Sequence, residues 1–358
     1  MKWILLIFML IFSASLSAQI NADRMQPPID TASTLIIAGN QEAEIAYNNG
    51  VQFLNSNKFE EAIKAFDEAL SRNAQFVQAR QNKAIALSSL GKYNEAVTEL
   101  KKVIALAPTN NRAYYALGVA NYQLNELEEA TQNFSDAIKQ GYTDYTAHYL
   151  SGQASFRLGD YIGALASFNL ALNMNATSWE ILNDCGSTNR MLEKYNDAVA
   201  DYKKAIALND KLPLLYNNLG SALRKKGDFA GAIANHTIAI QLDPQNLSAY
   251  NNRGSAYIDD KQFNKAIDDF LKVVALKPDY AFGYNNLGAT YMKMKDFDKA
   301  QEYFEKAIKM KPDYAEAYAN LGSVKEMKHD IEGAVNAWLI AADLGYSGAT
   351  QFINYYKN

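Results

Sequence analysis

The chain repeats itself every 34 residues, and that period limits its possible folds more tightly than any other feature. Counted in steps of 34 from Ala43, position 20 is Ala62, Ala96, Ala130, Ala164, Ala198, Ala232, Ala266, Ala300 and Ala334. Position 8 is glycine in every copy except the second, which has Ala84. Position 24 runs Phe66, Leu100, Phe134, Phe168, Tyr202, His236, Phe270, Phe304 and Trp338. Position 27 is alanine, or valine at Val103 and Val273. Nine copies (43–76, 77–110, 111–144, 145–178, 179–212, 213–246, 247–280, 281–314 and 315–348) tile residues 43–348 without insertion or deletion. A fixed period of this length means one supersecondary unit stacked on itself.

Elementary geometry suggests what the unit is. Positions 20 and 27 lie seven apart, so on a helix both alanines face the same way. The ring at 24 fills the space that the small residues leave, and position 8 marks a first helix that a neighbour approaches closely. Leucine at Ala232 is expected to overpack that seam, at about 1–3 kcal/mol. The turn falls at positions 15–17, as in Gly91-Lys92-Tyr93 and Gly227-Asp228-Phe229. Glycine there permits the left-handed geometry that ends a helix. Pro108, Pro244, Pro278 and Pro312 at position 32 stop the second helix, because proline cannot donate the next hydrogen bond. Copies 3 and 9 end instead in Gly141-Tyr142 and Gly345-Tyr346.

The period and these residues resemble the tetratricopeptide-repeat (TPR) family, most clearly in the stretch from Tyr284 to Asp313. The resemblance implies an all-α fold, a right-handed superhelical solenoid of nine helical hairpins. It also implies that first-helix positions 2, 5, 6, 9, 12 and 13 line an inner groove that binds proteins or peptides. Residues 349–358 are too short for another repeat. They read as a capping helix, or as a self-association edge through Phe352, Ile353, Tyr355 and Tyr356.

Catalytic, metal and cofactor chemistry are not expected. A lone cysteine, Cys185, falls at a position that is leucine in several copies, and reads as a buried thiol. His148, His236 and His329 sit in copies 4, 6 and 9, with no metal-ligand spacing. No glycine-rich phosphate loop or nucleophile elbow occurs, and no small-molecule substrate is implied. A net charge of −4, with both signs mixed along the chain, argues against nucleic acid as partner.

The candidate groove residues fall into three groups. Position 6 reads Asn48, Asn82, Ala116, Leu150, Asp184, Asn218, Asn252, Asn286 and Asn320, and position 5 adds Asn183, Asn217, Asn251 and Asn285. A side-chain amide offers a donor and an acceptor that match a peptide bond. Such a ladder resembles those by which superhelical repeats grip extended peptides; the other reading is a family default on a solvated face. Tyr47, Tyr115, Tyr122, Tyr149 and Phe156 form an aromatic patch for apolar side chains or a helix, or else bulk that tightens the superhelix. Arg157, Arg190, Arg224, Lys225 and Lys293 form a basic groove edge for acidic segments, or serve helix C-terminal dipoles. The family's clamp for acidic chaperone tails is not matched: no lysine occupies position 5, and Arg112 has no basic partner at residue 116.

Residues 1–18 have the layout of a signal peptide: Lys2, an apolar run from Trp3 to Phe12, then small residues to Ala18. An uncleaved anchor is the other reading. Residues 19–42, with Pro27 and Pro28, read as an extended tether. The expected localisation is therefore periplasmic or secreted, peripheral to the outer membrane. The expected function is a non-catalytic scaffold of the cell envelope, acting within an envelope complex. An extended-peptide module or holdase, and a regulatory subunit of an enzyme complex, are the alternatives.

Overall fold

The computed structural model describes residues 41–357. The expected signal peptide, and all of the tether but its last two residues, lie outside the described residues. Among the described residues there are nineteen helices and no strand. They are α1 (Gln41–Asn55), α2 (Phe59–Arg72), α3 (Val77–Ser89), α4 (Tyr93–Leu106), α5 (Asn111–Gln123), α6 (Leu127–Lys139), α7 (Tyr145–Leu158), α8 (Tyr161–Met174) and α9 (Trp179–Met191). Then follow α10 (Tyr195–Leu208), α11 (Pro213–Lys226), α12 (Phe229–Leu242), α13 (Leu247–Asp259), α14 (Phe263–Leu276), α15 (Ala281–Lys293), α16 (Phe297–Met310), α17 (Ala315–Met327), α18 (Ile331–Asp343) and α19 (Ala349–Lys357). The first helix starts at Gln41, two residues before the first repeat boundary. The helices form two compact units, residues 41–193 and 194–357. Within each unit, helices consecutive in sequence pack on one another.

The expected core is present. Every residue at positions 20 and 27 is 0% exposed, and every residue at position 24 is at most 1% exposed. The glycine at position 8 lies flat on its own copy's ring. A Cβ at Gly50, Gly118, Gly152, Gly254 or Gly288 would sit 2.5–2.8 Å from the phenylalanine sixteen residues on. At Gly220 the neighbour is His236, and at Gly322 it is Trp338. Copy 2, whose position 8 is Ala84, carries the slimmer Leu100 at position 24. Side-chain volume is thus balanced between the two positions.

The turn is more uniform than its sequence. Residues at position 15 have positive φ throughout: Asn57, Gly91, Asn125, Gly159, Glu193, Gly227, Lys261, Lys295 and His329. Glycine occupies only three of these sites, so the left-handed conformation is imposed by the hairpin. Asp160, Asp228, Asp296 and Asp330 at position 16 then cap the second helix, each accepting from a backbone N–H three residues on. In copies 3 and 9, Gly141 and Gly345 (φ 87° and 92°) end the second helix one residue early.

Helix α19 covers the last hairpin. Ala349 and Ile353 join the cluster around Trp338, the Phe352 ring stacks on the indole at 5.0 Å, and the Tyr356 hydroxyl donates to Glu326 at 2.6 Å. It is a capping helix. No described helix is long and apolar enough to cross a membrane.

Candidate functional site

The first helices carry one recurrent link that crosses from copy to copy. It joins position 5 of one copy to position 6 of the next, 35 residues apart. In the second unit Asn252 Nδ2 donates to Asn217 Oδ1 at 3.1 Å, Asn286 to Asn251 at 2.8 Å, and Asn320 to Asn285 at 3.0 Å. In the first unit Asn82 Nδ2 donates to Tyr47 Oη at 3.3 Å, and Tyr149 Oη donates to Asp184 Oδ2 at 3.0 Å. The asparagine columns are therefore seams between layers. Asn217 Oδ1 also accepts from the His236 ring nitrogen Nδ1 at 2.9 Å, which uses both of its lone pairs.

The expected site residues take different places. Asn48 is exposed; Asn82, Asn183, Asn252 and Asn285 are buried; Asn217, Asn218, Asn251, Asn286 and Asn320 are half-buried. Tyr47, Tyr115 and Tyr149 are placed in the core and not on a groove, at 5%, 1% and 5% exposure. Each ring tilts against the position-24 phenylalanine of its own copy, at 6.0, 5.9 and 5.9 Å between centroids. Tyrosine suits this place because its ring packs inward while its hydroxyl reaches the polar face. Tyr122 and Phe156 remain half-buried on that face.

The basic edge is partly neutralised. Arg224 Nε pairs with Asp259 at 2.6 Å, again 35 residues on. The Arg157 guanidinium lies 4.8 Å from the Tyr122 ring centroid and donates to Asn125. Arg190 is half-buried, and Lys225 and Lys293 are exposed. Cys185 is buried in an apolar cluster, and no three candidate metal ligands converge among the described residues.

Two titratable groups stand out. His236 fills an aromatic slot between hairpin helices, and burial, with Arg224 and Arg253 nearby, lowers its pKa to about 3. The imidazole is therefore neutral, with Nδ1–H bonded to Asn217 and Nε2 without a partner. Asp184 interrupts the asparagine column at position 6. Its carboxylate accepts from Tyr149 Oη, from Gln153 Nε2 at 3.3 Å and from Asn183 Nδ2 at 3.1 Å. Burial nevertheless pushes its pKa up to about 6. Sequence reading passed over Gln153 and Asp184 as site residues; the acidic interruption of an amide column was the available signal.

Models of the tetratricopeptide repeat match residues 281–314 and 112–140, and a TPR-repeat model matches 84–125, 190–227, 220–260 and 254–295, together about half of the chain. The chain is a tetratricopeptide-repeat protein. Among solved structures, a TPR protein from Parabacteroides merdae is similar over 69% of this chain and 98% of its own, at 20% identity and a TM-score of 0.56. The C-terminal part of a TPR repeat-containing protein from Cytophaga hutchinsonii is similar over 66% of this chain and 98% of its own, at 17% identity and a TM-score of 0.55. The APC/C hetero-tetramer Cut9-Hcn1 covers 80% of this chain and 57% of its own, at 18% identity and a TM-score of 0.50. No curated protein matches the chain. These likenesses concern the TPR fold, and family and fold together support a protein-interaction scaffold with protein or peptide partners.

Proposed function

We propose that this TPR protein is a non-catalytic scaffold of the cell envelope that holds folded partner proteins on its first-helix faces. The observation that carries the reading is the 35-residue link. Asparagines that would have to be free to grip a peptide backbone are already bonded to one another, which makes the face a preset surface. A preset surface loses little entropy on docking a folded partner. The envelope location rests on the signal-like residues 1–18.

An extended-peptide module is the second reading, favoured by the second N–H that each linked asparagine retains. The double variant Asn252→Ala/Asn286→Ala separates the two, with partners captured from the envelope fraction by the full chain. For a folded-partner scaffold, capture persists while stability falls by about 1–3 kcal/mol in urea, about one hydrogen bond per link. Loss of a peptide ligand with the fold intact would instead establish the peptide module.

A further inference from the structure

The second helices of residues 41–193 differ in what they turn outward. At positions 18, 22, 26 and 30, α2 exposes Glu60, Lys64, Glu68 and Arg72, a wholly ionic row. The same row on α4 includes Lys102, and on α6 it includes Glu128 and Asp136. Helix α8 breaks the pattern, with no charged residue along its fourteen-residue length. Its row is Ile162, Ala166, Leu170 and Met174, all exposed, flanked by the neutral amides of Asn169 and Asn173. Ile162 is 76% exposed, and Leu170 and Met174 are each 49% exposed. Single exposed apolar side chains are ordinary on a protein surface. These four stand at successive steps of four, so they form one continuous ridge along the helix. In the second unit α12 also lacks charge, but at positions 18 and 22 it shows only Ala230 and Ala234.

The absence of charge narrows what can cover the ridge. A helix that lies on a lipid surface carries lysine or arginine around its apolar row, and α8 has neither. A second copy of the chain fits better, because the ridge is its own complement. Ala166 is the small residue, with Ile162 and Leu170 four residues to either side. A two-fold axis through Ala166 sets alanine on alanine, where two helices can approach closely, and seats Ile162 of each copy beside Leu170 of the other. The same operation on α2 would oppose Glu60 and Glu68, and on α6 it would oppose Glu128 and Asp136. Like charges set against each other reject such a pairing. On α4 it would bury Lys102. Among these helices α8 alone can face itself without an electrostatic penalty. The ridge offers on the order of 400 Å² per copy, about half of what a standard interface takes from each partner. The expected dimer is therefore weak, with a Kd on the order of 10–100 µM.

We propose that the outer ridge of α8 is a self-association face, through which two copies of this chain pack about a two-fold axis at Ala166. It lies on a second helix and does not depend on the first-helix face. A scaffold paired in this way presents that first-helix face twice.

The test is sedimentation equilibrium of the full chain from about 2 to about 200 µM, a range that brackets the expected Kd. The wild type should pass from monomer to dimer across it. Ala166→Glu puts two carboxylates on the axis and should weaken the dimer by at least about ten-fold. Copy 8 exposes Glu302 at this same position, so the hairpin accepts the residue, and circular dichroism melts verify the fold. Ala166→Lys should weaken the dimer equally. An equimolar mixture of the two variants should recover it to within about three-fold of the wild type, since residue 166 then meets its opposite charge across the axis. Tyr355→Glu, at a 77% exposed position on α19, should leave it unchanged. A wild-type chain that stayed monomeric throughout would overturn the proposal, whether another protein, a lipid surface or the residues before Gln41 then covered the ridge. A dimer that survived Ala166→Glu, or that Tyr355→Glu abolished, would overturn it by placing the contact elsewhere. Two charged variants that failed to pair when mixed would overturn the axis at Ala166, and the proposal with it.

Discussion

The two units share one architecture and one link, yet they build the link from different chemistry. In residues 41–193 it uses tyrosine: the ring of Tyr47 or Tyr149 is buried, and its hydroxyl bonds to the next copy. In residues 194–357 it uses asparagine pairs. Position 5 meets position 24 of its own copy in several repeats. Tyrosine faces phenylalanine at copies 1, 3 and 4, asparagine bonds to His236 in copy 6, and Trp338 donates from its indole to the Ala319 carbonyl in copy 9 at 3.1 Å. The same scaffold thus yields a first face carrying a half-buried acid and a second face of linked amides.

The largest test asks whether the difference stops at the face. Phe134 and Phe304 are both fully buried at position 24, one in each unit. Alanine at either is expected to cost about 3–5 kcal/mol, because the cavity is walled by an alanine column and a glycine that cannot collapse into it. Urea unfolding followed by circular dichroism measures this. Similar losses place the contrast on the faces alone; a markedly smaller loss in one unit would show that its core is also built differently.

A second test uses pH, since the two perturbed groups respond in opposite directions. His236 has an ordinary pKa of 6.5 and a folded value near 3, so the unfolded chain binds the extra proton between those values. Its contribution is intact above pH 6.5 and is lost as the pH falls towards 3. His236→Phe should remove that loss, a relative gain on the order of 2–3 kcal/mol near pH 4.5. Asp184 has an ordinary pKa of 3.8 and a folded value near 6, so the folded chain binds the extra proton between them. Its contribution falls as the pH rises from 3.8 through 6. Asp184→Asn should therefore stabilise the chain at pH 7 by about 1–2 kcal/mol, fading below pH 6. Melting curves of the two variants across pH 4 to 7 should diverge from the wild type at opposite ends. Parallel curves would break the comparison.

Much of the fold was legible in the sequence, because burial selects residues one by one. Nothing larger than alanine or valine fits at positions 20 and 27, so those columns declare themselves at a period of 34. The links were not legible at that period, because they join residues 35 apart and so escape any column-by-column reading. Tyr47 with Asn82 and Arg224 with Asp259 become visible only once neighbouring layers are set side by side. Tyr47, Tyr115 and Tyr149 were assigned to the groove because family position 5 faces it. Their rings turn inward because the hydroxyl alone suffices to reach the polar face.

The smallest effect concerns the turns, where the units also part. Four of the first unit's five turns place Asn57, Gly91, Asn125 or Gly159 at position 15, residue types that accept a left-handed backbone most readily, and the fifth places Glu193. The second unit has Gly227 there once, and otherwise Lys261, Lys295 and His329, with φ of 60°, 63° and 65°. A side chain with a Cβ is strained in that region, whereas glycine is not, although glycine loses more freedom on folding. The strain is the larger of the two effects, so Lys261→Gly and Lys295→Gly should each stabilise the second unit by about 0.5–1 kcal/mol. Asn57→Gly in the first unit should change stability by less than about 0.5 kcal/mol, since asparagine tolerates the conformation. Thermal melts of the three single variants decide the matter. Equal shifts at lysine and asparagine sites would mean that the hairpin, by holding the backbone so firmly at all nine turns, has made residue type irrelevant there.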